Sequence, residues 1–173
     1  MPPRLKWSDR RFTFDIPLWM YGSIVERLRG TPARVEERIR RVPGPLLLQR
    51  HGEAWSIQQN IGHLWDVEEL WAQRVNDLKN GKETISPADQ PGFSARALTH
   101  NEHPLDKILT GFRVARAQFV EQLESADEQL VGRSAYHQRL QGNMRLIDLA
   151  FFAAEHDDYH LAKITELLQA QQG

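Results

Sequence analysis

The sequence predicts an all-α protein, a four-helix bundle with long crossover connections. Four segments of about twenty residues or more carry apolar residues three and four positions apart, which is the spacing of one helix face. No segment alternates in the manner of a β-strand, and no internal repeat occurs. The length of 173 residues suits one continuous core, so residues 1–173 are expected to form a single domain.

Residues 1–15 are polar and aperiodic, and we expect them to form an N-terminal arm that lies across the bundle through its aromatic residues. Asp15 is the N-cap candidate of the first helix, and Pro17 suits its first turn. The apolar stripe of this helix contains Leu18, Tyr21, Val25 and Leu28 and resumes in register at Val35, Ile39 and Val42. Between the two halves, Pro32 restricts Thr31 to non-helical dihedrals, so a kinked or broken helix is predicted.

Ser56 marks the start of the second helix, because Gln59 three residues later completes the capping-box pattern before an apolar-periodic run. The stripe continues in threes and fours to Leu78, and Gly81 is the predicted C-terminal stop. Glu68 is an acidic residue within this otherwise apolar stripe.

The third helix is predicted to begin at Pro104 and to end near Ser125, and the last helix to run from Asn143, its N-cap candidate, to Gln171. The tryptophans at positions 19, 55, 65 and 71 are expected to be core residues.

The three connections between these helices are rich in proline, glycine and polar residues and are predicted to be loops over 43–55, 82–103 and 126–142. A loop as long as 82–103 is uncommon inside a compact domain and is more often functional than idle, so we expect it to cover a site. The two longer connections also leave room for crossovers between the helices.

The composition excludes several classes of function. With 40% hydrophobic and 26% charged residues the chain is globular, and a net charge of -1 gives no electrostatic reason to expect nucleic acid. The chain has no cysteine, which excludes disulfides, thiolate zinc ligands and a cysteine nucleophile, so any metal must be held by nitrogen and oxygen. No apolar run has the length of a signal peptide or a membrane span, which predicts a soluble, cytoplasmic protein without membrane contact.

His156 and His160 lie in the middle of the apolar stripe of the last helix, one turn apart and on the same face. An unpaired buried polar group costs roughly 1–3 kcal/mol, so each imidazole needs partners for its nitrogens. Two solutions remain open. Each imidazole has its own hydrogen-bond partner, or both bind one cation, because side chains at i and i+4 converge on a common point.

A third histidine would favour the cation, and His63 is the best candidate. It lies early in the second helix, on the flank of the apolar stripe, whereas the histidine pair lies late in the last helix, so antiparallel packing would bring them level. Three imidazoles suit Zn²⁺, Ni²⁺, Fe²⁺ or Cu²⁺ and leave coordination positions open for water or substrate. The alternative is a partly exposed helix histidine, which is common for this residue type.

Other metal architectures are tested by their motifs. The paired Glu-x-x-His of a di-iron bundle and the His-Glu-x-x-His of a metalloprotease are both absent. Asp157 borders the face that carries His160, and it joins Glu68 as a candidate for proton handling or for support of the metal ligands. For Glu68, a hydrogen bond to a neighbouring helix is the simpler alternative. Glu155 and Asp158 point away from this face and are expected to be solvated.

Two strings carry a resemblance to a known family: WSIQQNIGHLWDVEELW at 55–71 and AEHDDYHLAKI at 154–164. They look like the two signature regions of the DinB-like family (the DinB/YfiT superfamily). The segment ERLRGTPARVEERI at 26–39 resembles the first helix of that family. The resemblance extends roughly over 15–170, and the spacing of the three histidines is its specific part.

The resemblance implies a four-helix bundle with crossover connections, often dimeric, that holds one divalent metal ion (Zn, Ni or Fe) on three histidines. Matched by motif, these ligands fall on His63, His156 and His160. Some members of the superfamily transfer low-molecular-weight thiols such as bacillithiol or mycothiol, or isomerise substrates with a thiol cofactor. We therefore expect a homodimer that acts on a small-molecule substrate.

The leading hypothesis is a metal-dependent thiol S-transferase that takes a low-molecular-weight thiol as cosubstrate and acts on small electrophiles. The cation would lower the pKa of the thiol, so the protein needs no cysteine of its own. The first alternative is a metal-dependent hydrolase that uses metal-bound hydroxide, with Asp157 or Glu68 handling the proton. The second is a non-catalytic, metal-binding stress-response bundle. An open coordination position that faces a pocket favours either enzyme.

Overall fold

The computed structural model describes residues 4–171 of the chain. The two ends of the predicted domain, 1–3 and 172–173, lie outside the described residues. The fold is the predicted helix bundle with an added two-stranded sheet. Its elements are α1 (Tyr21–Arg29), α2 (Thr31–Ile39), α3 (Gly44–Leu48), α4 (Ile57–Asp66), α5 (Glu68–Lys79), α6 (Gln90–Thr99), α7 (Leu105–Glu124), α8 (Glu128–Gly132), β1 (Ser134–His137), β2 (Gly142–Arg145) and α9 (Leu146–Ala170).

Four helical arms form the bundle: α1 with α2, α4 with α5, α7, and α9. Helix α4 packs against both α7 and α9, and α1 packs against the same two helices. The predicted break in the first arm is confirmed, but it falls at Gly30, and Thr31 is the first residue of α2 and not the non-helical residue that the sequence predicts. The middle of the stripe is buried in both halves, with Leu28 and Val35 fully enclosed, whereas Leu18 at its start is exposed. In the described part of the chain, no helix combines the length and the apolarity that a membrane crossing requires.

The start and the end of the second arm follow the sequence signals. The Ser56 hydroxyl accepts from the Gln59 backbone N–H at 3.1 Å, and the Gln59 side-chain oxygen accepts from the Ser56 N–H at 2.9 Å, which completes the capping box. After Lys79, Gly81 takes a left-handed conformation (φ 67°) and its N–H donates to the Leu78 carbonyl at 3.1 Å.

The three connections predicted as loops contain additional helices, which corrects the prediction. Helix α3 forms within 43–55, α6 within 82–103 and α8 within 126–142. Aspartate side chains cap two of them: Asp89 accepts from the backbone N–H of the third residue after it in α6, and Asp127 does the same in α8. Each aspartate satisfies a free N–H of a short helix, which stabilises a turn that apolar periodicity does not reveal.

The prediction that the chain contains no strand is wrong, because β1 and β2 pair in antiparallel register. The register pairs Ser134 with Arg145 and His137 with Gly142. Asn143 therefore lies in β2, and the N-cap of α9 is Arg145, whose backbone N–H donates to the Asp148 carboxylate at 2.9 Å. The hairpin matters for the site, because it places His137 and the turn after it beside α9.

The expectation that four tryptophans are core residues is correct for one of them. Trp71 is buried, whereas Trp55 and Trp65 are partly exposed and Trp19 is 80% exposed. The aromatic residues of the N-terminal arm pack against the core as expected, and these are Trp7, Phe12 and Phe14. The arm thereby covers one face of α9.

Candidate metal centre

Helices α4 and α9 bring the three predicted histidines together. His63 comes from α4, and His156 and His160 are one turn apart on α9; we call these residues the three-histidine cluster. One nitrogen from each of them lies within 4.8 Å of the other two. All three side chains are buried, so His63 is not on an exposed flank of its helix. The contacts show that the helices run in opposite directions, because Asn60 meets His160 whereas His63 meets His156.

The hydrogen bonds determine which ring nitrogens face the centre. The Nε2 atoms of His63 and His156 are 3.3 Å apart. His160 Nδ1 lies 2.8 Å from Asn60 Oδ1, and the Asn60 amide nitrogen donates to the Ser56 carbonyl at 2.8 Å. Because the amide oxygen only accepts, His160 Nδ1 carries the proton, and its Nε2 has a free lone pair.

Burial keeps all three imidazoles neutral. It lowers the pKa of His63 to about 4 and lowers the pKa values of His156 and His160 well below the ordinary value of 6.5. The other histidines of the cluster add to the lowering for His156 and His160, because a second positive charge nearby is unfavourable. Neutral imidazoles have the lone pairs that a divalent cation requires.

The residues fit a divalent cation. Two nitrogens bound to one cation at about 2.0–2.1 Å with tetrahedral angles stand about 3.3–3.4 Å apart, which matches the separation of the His63 and His156 Nε2 atoms. The Nδ1 atoms of these two residues are buried without a hydrogen-bond partner among residues 4–171. Within that range the cluster contains three ligands, so a fourth coordination position is open.

The open side of the three-histidine cluster faces a cavity of about 940 Å³ that all three histidines line. Most of its wall is aromatic or aliphatic, from residues that include Trp7, Trp55, Trp71, Phe93 and Phe152. Residues 85–88 and helix α6 form part of the wall, as expected for the connection 82–103. The cavity is a concave, mostly apolar site of the kind that binds small molecules.

Several cavity residues were not identified from the sequence. The N-terminal arm carries Trp7, whose ring centroid is 5.0 Å from that of His156. Arg74, His137 and Arg139 also line the cavity. The sequence offers no signal for them, because they lie outside the apolar stripes and reach the site only through the folded arm and the hairpin.

Glu68 and Asp157 do not line the cavity and instead bind one arginine. The guanidinium of Arg116 on α7 donates to Glu68 at 3.1 Å and to Asp157 at 3.0 Å, and all three side chains are buried. We call these three residues the Arg116 cluster. Thr31 adds a hydrogen bond to Asp157 Oδ2 at 2.7 Å. For Glu68, the simpler alternative of a hydrogen bond to a neighbouring helix is therefore correct.

The neighbouring acidic residues are not free in solvent, which corrects another expectation. The Arg27 side chain donates to Glu155 at 2.6 Å and to Asp158 at 2.9 Å, so both carboxylates tie α9 to α1. Of the histidines without an assigned role, His51 lines the cavity at an exposed position, and His100 Nε2 lies 2.9 Å from an Asp66 carboxylate oxygen.

The fold and the site define a helical-bundle protein with three converging imidazoles beside a mostly apolar cavity. The chain belongs to the DinB superfamily, whose sequence profile matches residues 27–164. Comparison with curated proteins finds no match.

Solved structures with the same fold share little sequence with this chain. YfiT from Bacillus subtilis, described as a probable metal-dependent hydrolase with an unusual four-helix bundle topology, is 18% identical, with a TM-score of 0.81 over 94% of each chain. A mycothiol-dependent maleylpyruvate isomerase is 11% identical, with a TM-score of 0.69 over 86% of this chain and 60% of the isomerase. A Streptococcus pneumoniae protein is 12% identical, with a TM-score of 0.69 over 94% of this chain and 95% of that protein.

Proposed function

We propose that the protein is a metal-dependent enzyme that acts on a small-molecule substrate. His63, His156 and His160 would hold one divalent cation, Zn²⁺, Ni²⁺ or Fe²⁺, at the wall of the cavity. The observation that carries the proposal is the convergence of three buried, neutral imidazoles whose nitrogens lie within 4.8 Å of one another. The open cavity favours an enzyme over the non-catalytic stress-response bundle, because a purely structural site would be closed by a fourth protein ligand.

The reaction we propose is transfer of a low-molecular-weight thiol to a small electrophile. A divalent cation lowers the pKa of a bound thiol and thereby supplies thiolate near neutral pH. The cavity volume of about 940 Å³ is at the upper end of the range for small-molecule sites, so a thiol and an electrophile fit together. The chain has no cysteine, so the thiol comes from a cosubstrate.

The residues around the three-histidine cluster orient the imidazoles and exclude water. Asn60 fixes the ring of His160 through Nδ1. Trp55 stacks on the His160 ring at 6.1 Å, and Trp7 and Trp71 meet the His156 ring edge-on at 5.0 and 5.7 Å. An apolar surround strengthens electrostatic interactions inside the cavity, because little water remains to screen them.

Metal-dependent hydrolysis is the second candidate, and the likeness to YfiT, a probable metal-dependent hydrolase, favours it. In this alternative Glu68 or Asp157 would handle the proton. Arg116 holds both carboxylates away from the cavity. Their positions therefore support a structural role more than a role in proton transfer. For this reason we propose thiol transfer as the first candidate and hydrolysis as the second.

The test is a conjugation assay with protein purified without a metal-affinity tag and analysed for metal by mass spectrometry. Bacillithiol, mycothiol, glutathione and cysteine are each paired with a haloarene or an epoxide. The wild type should accelerate at least one conjugation only when metal and thiol are both present. His160→Ala should abolish that rate, whereas His103→Ala, at an exposed position, should preserve it. If neither protein accelerates conjugation while His160→Ala loses a thiol-independent hydrolysis, hydrolysis replaces thiol transfer.

We also propose that the protein is a cytoplasmic homodimer without nucleic-acid or membrane partners. The resemblance to the DinB-like family implies a dimer, and Trp19, which is 80% exposed, is an apolar side chain that an interface would cover. Light scattering that gives the mass of a monomer at micromolar concentration would exclude the dimer.

A further inference from the structure

A second group of polar residues lines the same cavity and has no role in the proposed metal site. Arg74 projects from α5, His137 ends β1, and Arg139 lies in the turn that follows. All three line the cavity, and each has at least one donor without a hydrogen-bond partner among residues 4–171.

Arg74 is a buried cation without a carboxylate partner. Its side chain is 2% exposed, and its Nε donates to the Ser86 carbonyl at 2.9 Å. Over residues 4–171, no carboxylate lies within ion-pair distance of its guanidinium. Burial, and next the charge of Arg139, lower the pKa of Arg74 to about 10, and the negative charge of Asp77, beyond ion-pair distance, partly opposes them. A buried guanidinium is expensive unless an anion accompanies it.

Arg139 has the same deficiency. Its Nη1 donates to the Ser8 carbonyl at 3.3 Å, but Nη2 is buried and has no hydrogen-bond partner among the described residues. The guanidinium lies 5.5 Å from the ring centre of Phe152 and 6.0 Å from that of Trp7. These rings hold the guanidinium in place but accept no hydrogen bond from its N–H groups.

His137 supplies a neutral donor. Its Nδ1 accepts from the Leu140 backbone N–H at 3.3 Å, so the ring proton lies on Nε2. That Nε2 is buried and has no partner in the described part of the chain. Burial and the charges of Arg74 and Arg139 lower the pKa of His137 to about 4, which keeps the ring neutral.

Two cations without carboxylate partners and a neutral donor, each with a donor left unpaired, favour an anion that only accepts hydrogen bonds. The carboxylates that line the cavity, Glu53 and Glu166, are exposed, and Glu166 already pairs with Arg4 and Lys163. Guanidinium groups bind carboxylate and phosphate through parallel hydrogen bonds, which suits an oxyanion of either kind.

We propose that Arg74, Arg139 and His137 form an anion subsite that binds a carboxylate or phosphate group of the small-molecule substrate. This inference rests on the proposed function, because it names the substrate class for the same cavity. The Trp7 ring lies between the subsite and the three-histidine cluster, because its centroid is 6.0 Å from the Arg139 guanidinium and 5.0 Å from the His156 ring centroid. The substrate is therefore a small anion whose reacting group lies a few bonds from its charge.

The test measures anion binding on the full-length protein, both as purified and after chelator treatment. The probes are succinate, inorganic phosphate and the uncharged succinamide, and the readouts are tryptophan fluorescence and calorimetry. Succinate or phosphate should bind in a saturable manner, and succinamide should not. Which of the two anions binds more tightly distinguishes a carboxylate substrate from a phosphate.

Arg74→Gln and Arg139→Gln should each weaken binding at least about tenfold, because each removes a charge-assisted hydrogen bond. Arg133→Gln is the matched control, since Arg133 is half-buried but donates to the Leu78 and Lys79 carbonyls away from the cavity. If Arg74→Gln does not fold, Arg139→Gln still tests the subsite, because Arg139 is only half-buried.

Absence of saturable binding up to about 10 mM, or binding that neither cavity variant weakens, would overturn the anion subsite and leave the metal chemistry standing. Binding that survives chelation and falls in both variants supports the subsite, whether or not the protein conjugates thiols. Failure of the anion subsite can therefore be distinguished from failure of the proposed thiol transfer.

Discussion

The three-histidine cluster and the Arg116 cluster are two buried polar groups that join the same helical arms with opposite results. Both link the second arm to α9, and His156 and Asp157 are adjacent in sequence but belong to different clusters. In the Arg116 cluster every charge has a partner. In the three-histidine cluster, the Nδ1 atoms of His63 and His156 have no hydrogen-bond partner among residues 4–171, and all three side chains line a cavity. The comparison separates buried polar groups whose charges are paired within the bundle from buried polar groups that line a cavity and have unpaired nitrogens.

The pKa values in the two clusters also differ, because the Arg116 cluster contains paired charges and the three-histidine cluster does not. Burial raises the pKa of Glu68, and the charge of Arg116 opposes that rise. For Arg116, burial lowers the pKa, but Asp157 and Glu68 outweigh it. The three charges therefore depend on one another. The imidazoles of His156 and His160 need no counter-charge, because burial lowers their pKa values and keeps them neutral.

The largest expected effect is loss of metal from the three-histidine cluster. His156→Ala and His160→Ala each remove one of three ligands, so stoichiometric metal binding should be abolished, as measured by mass spectrometry on purified protein. Chelation should lower the melting temperature of the wild type, because ligands from two helices bind metal in the native state only. Chelation should not affect the variants.

His51→Ala is the control for this experiment, since His51 lines the exposed part of the cavity and offers no nitrogen to the cluster. It should keep its metal. Full metal occupancy in either His156→Ala or His160→Ala would exclude the cluster as the metal site.

Substitutions in the Arg116 cluster should lower the stability of the protein without weakening ligand binding. Arg116→Met leaves Glu68 and Asp157 buried without a counter-charge, which should cost about 3–5 kcal/mol in the free energy of unfolding by urea. Arg74→Gln is the matched comparison: Arg74 is equally buried but has no carboxylate partner, so the loss should be at most about 1.5 kcal/mol. A larger loss in Arg74→Gln than in Arg116→Met would break the distinction between the clusters.

The histidine pair on α9 and the start of α4 could be predicted because their signals are local, whereas joining His63 to the pair, 93 residues away, required the assumed antiparallel packing and the family resemblance. A helix period places His156 and His160 on one face, and the capping box at Ser56 fixes the start of the helix that carries His63. These features depend on residues within a few positions of one another, so one sequence suffices to find them.

The Arg116 cluster and the anion subsite could not be predicted, because they depend on long-range contacts. Arg116 meets carboxylates 48 and 41 residues away in the chain, and no local pattern relates them. His137 reaches the cavity through a hairpin of four-residue strands, too short for strand alternation to stand out. Tertiary packing alone decides these positions.

An effect smaller than that of Arg116→Met is expected for a third polar group, whose charge is also paired and which supports the cavity wall. The buried Asp77 carboxylate accepts from the Ser86 backbone N–H at 2.7 Å and from the Gln73 amide at 3.0 Å, and it forms an ion pair with Lys82 at 2.6 Å. Burial tends to raise the pKa of Asp77, but these partners outweigh it and lower the pKa from 3.8 to about 2.

A carboxyl whose pKa is lower in the folded state stabilises the protein above its unfolded value, and this stability is lost as the pH falls through the folded value. Asp77 should therefore contribute about 2 kcal/mol above pH 4, and the contribution should vanish progressively as the pH falls to about 2. The measurement is the difference in unfolding free energy between wild type and Asp77→Asn, both chelator-treated so that metal release does not contribute. Other carboxyls titrate equally in both proteins, so the difference isolates Asp77. If the difference in unfolding free energy stays constant between pH 6 and 2, the partners of Asp77 do not stabilise its charged form. The cavity wall then contains no paired cluster of the Arg116 type at Asp77.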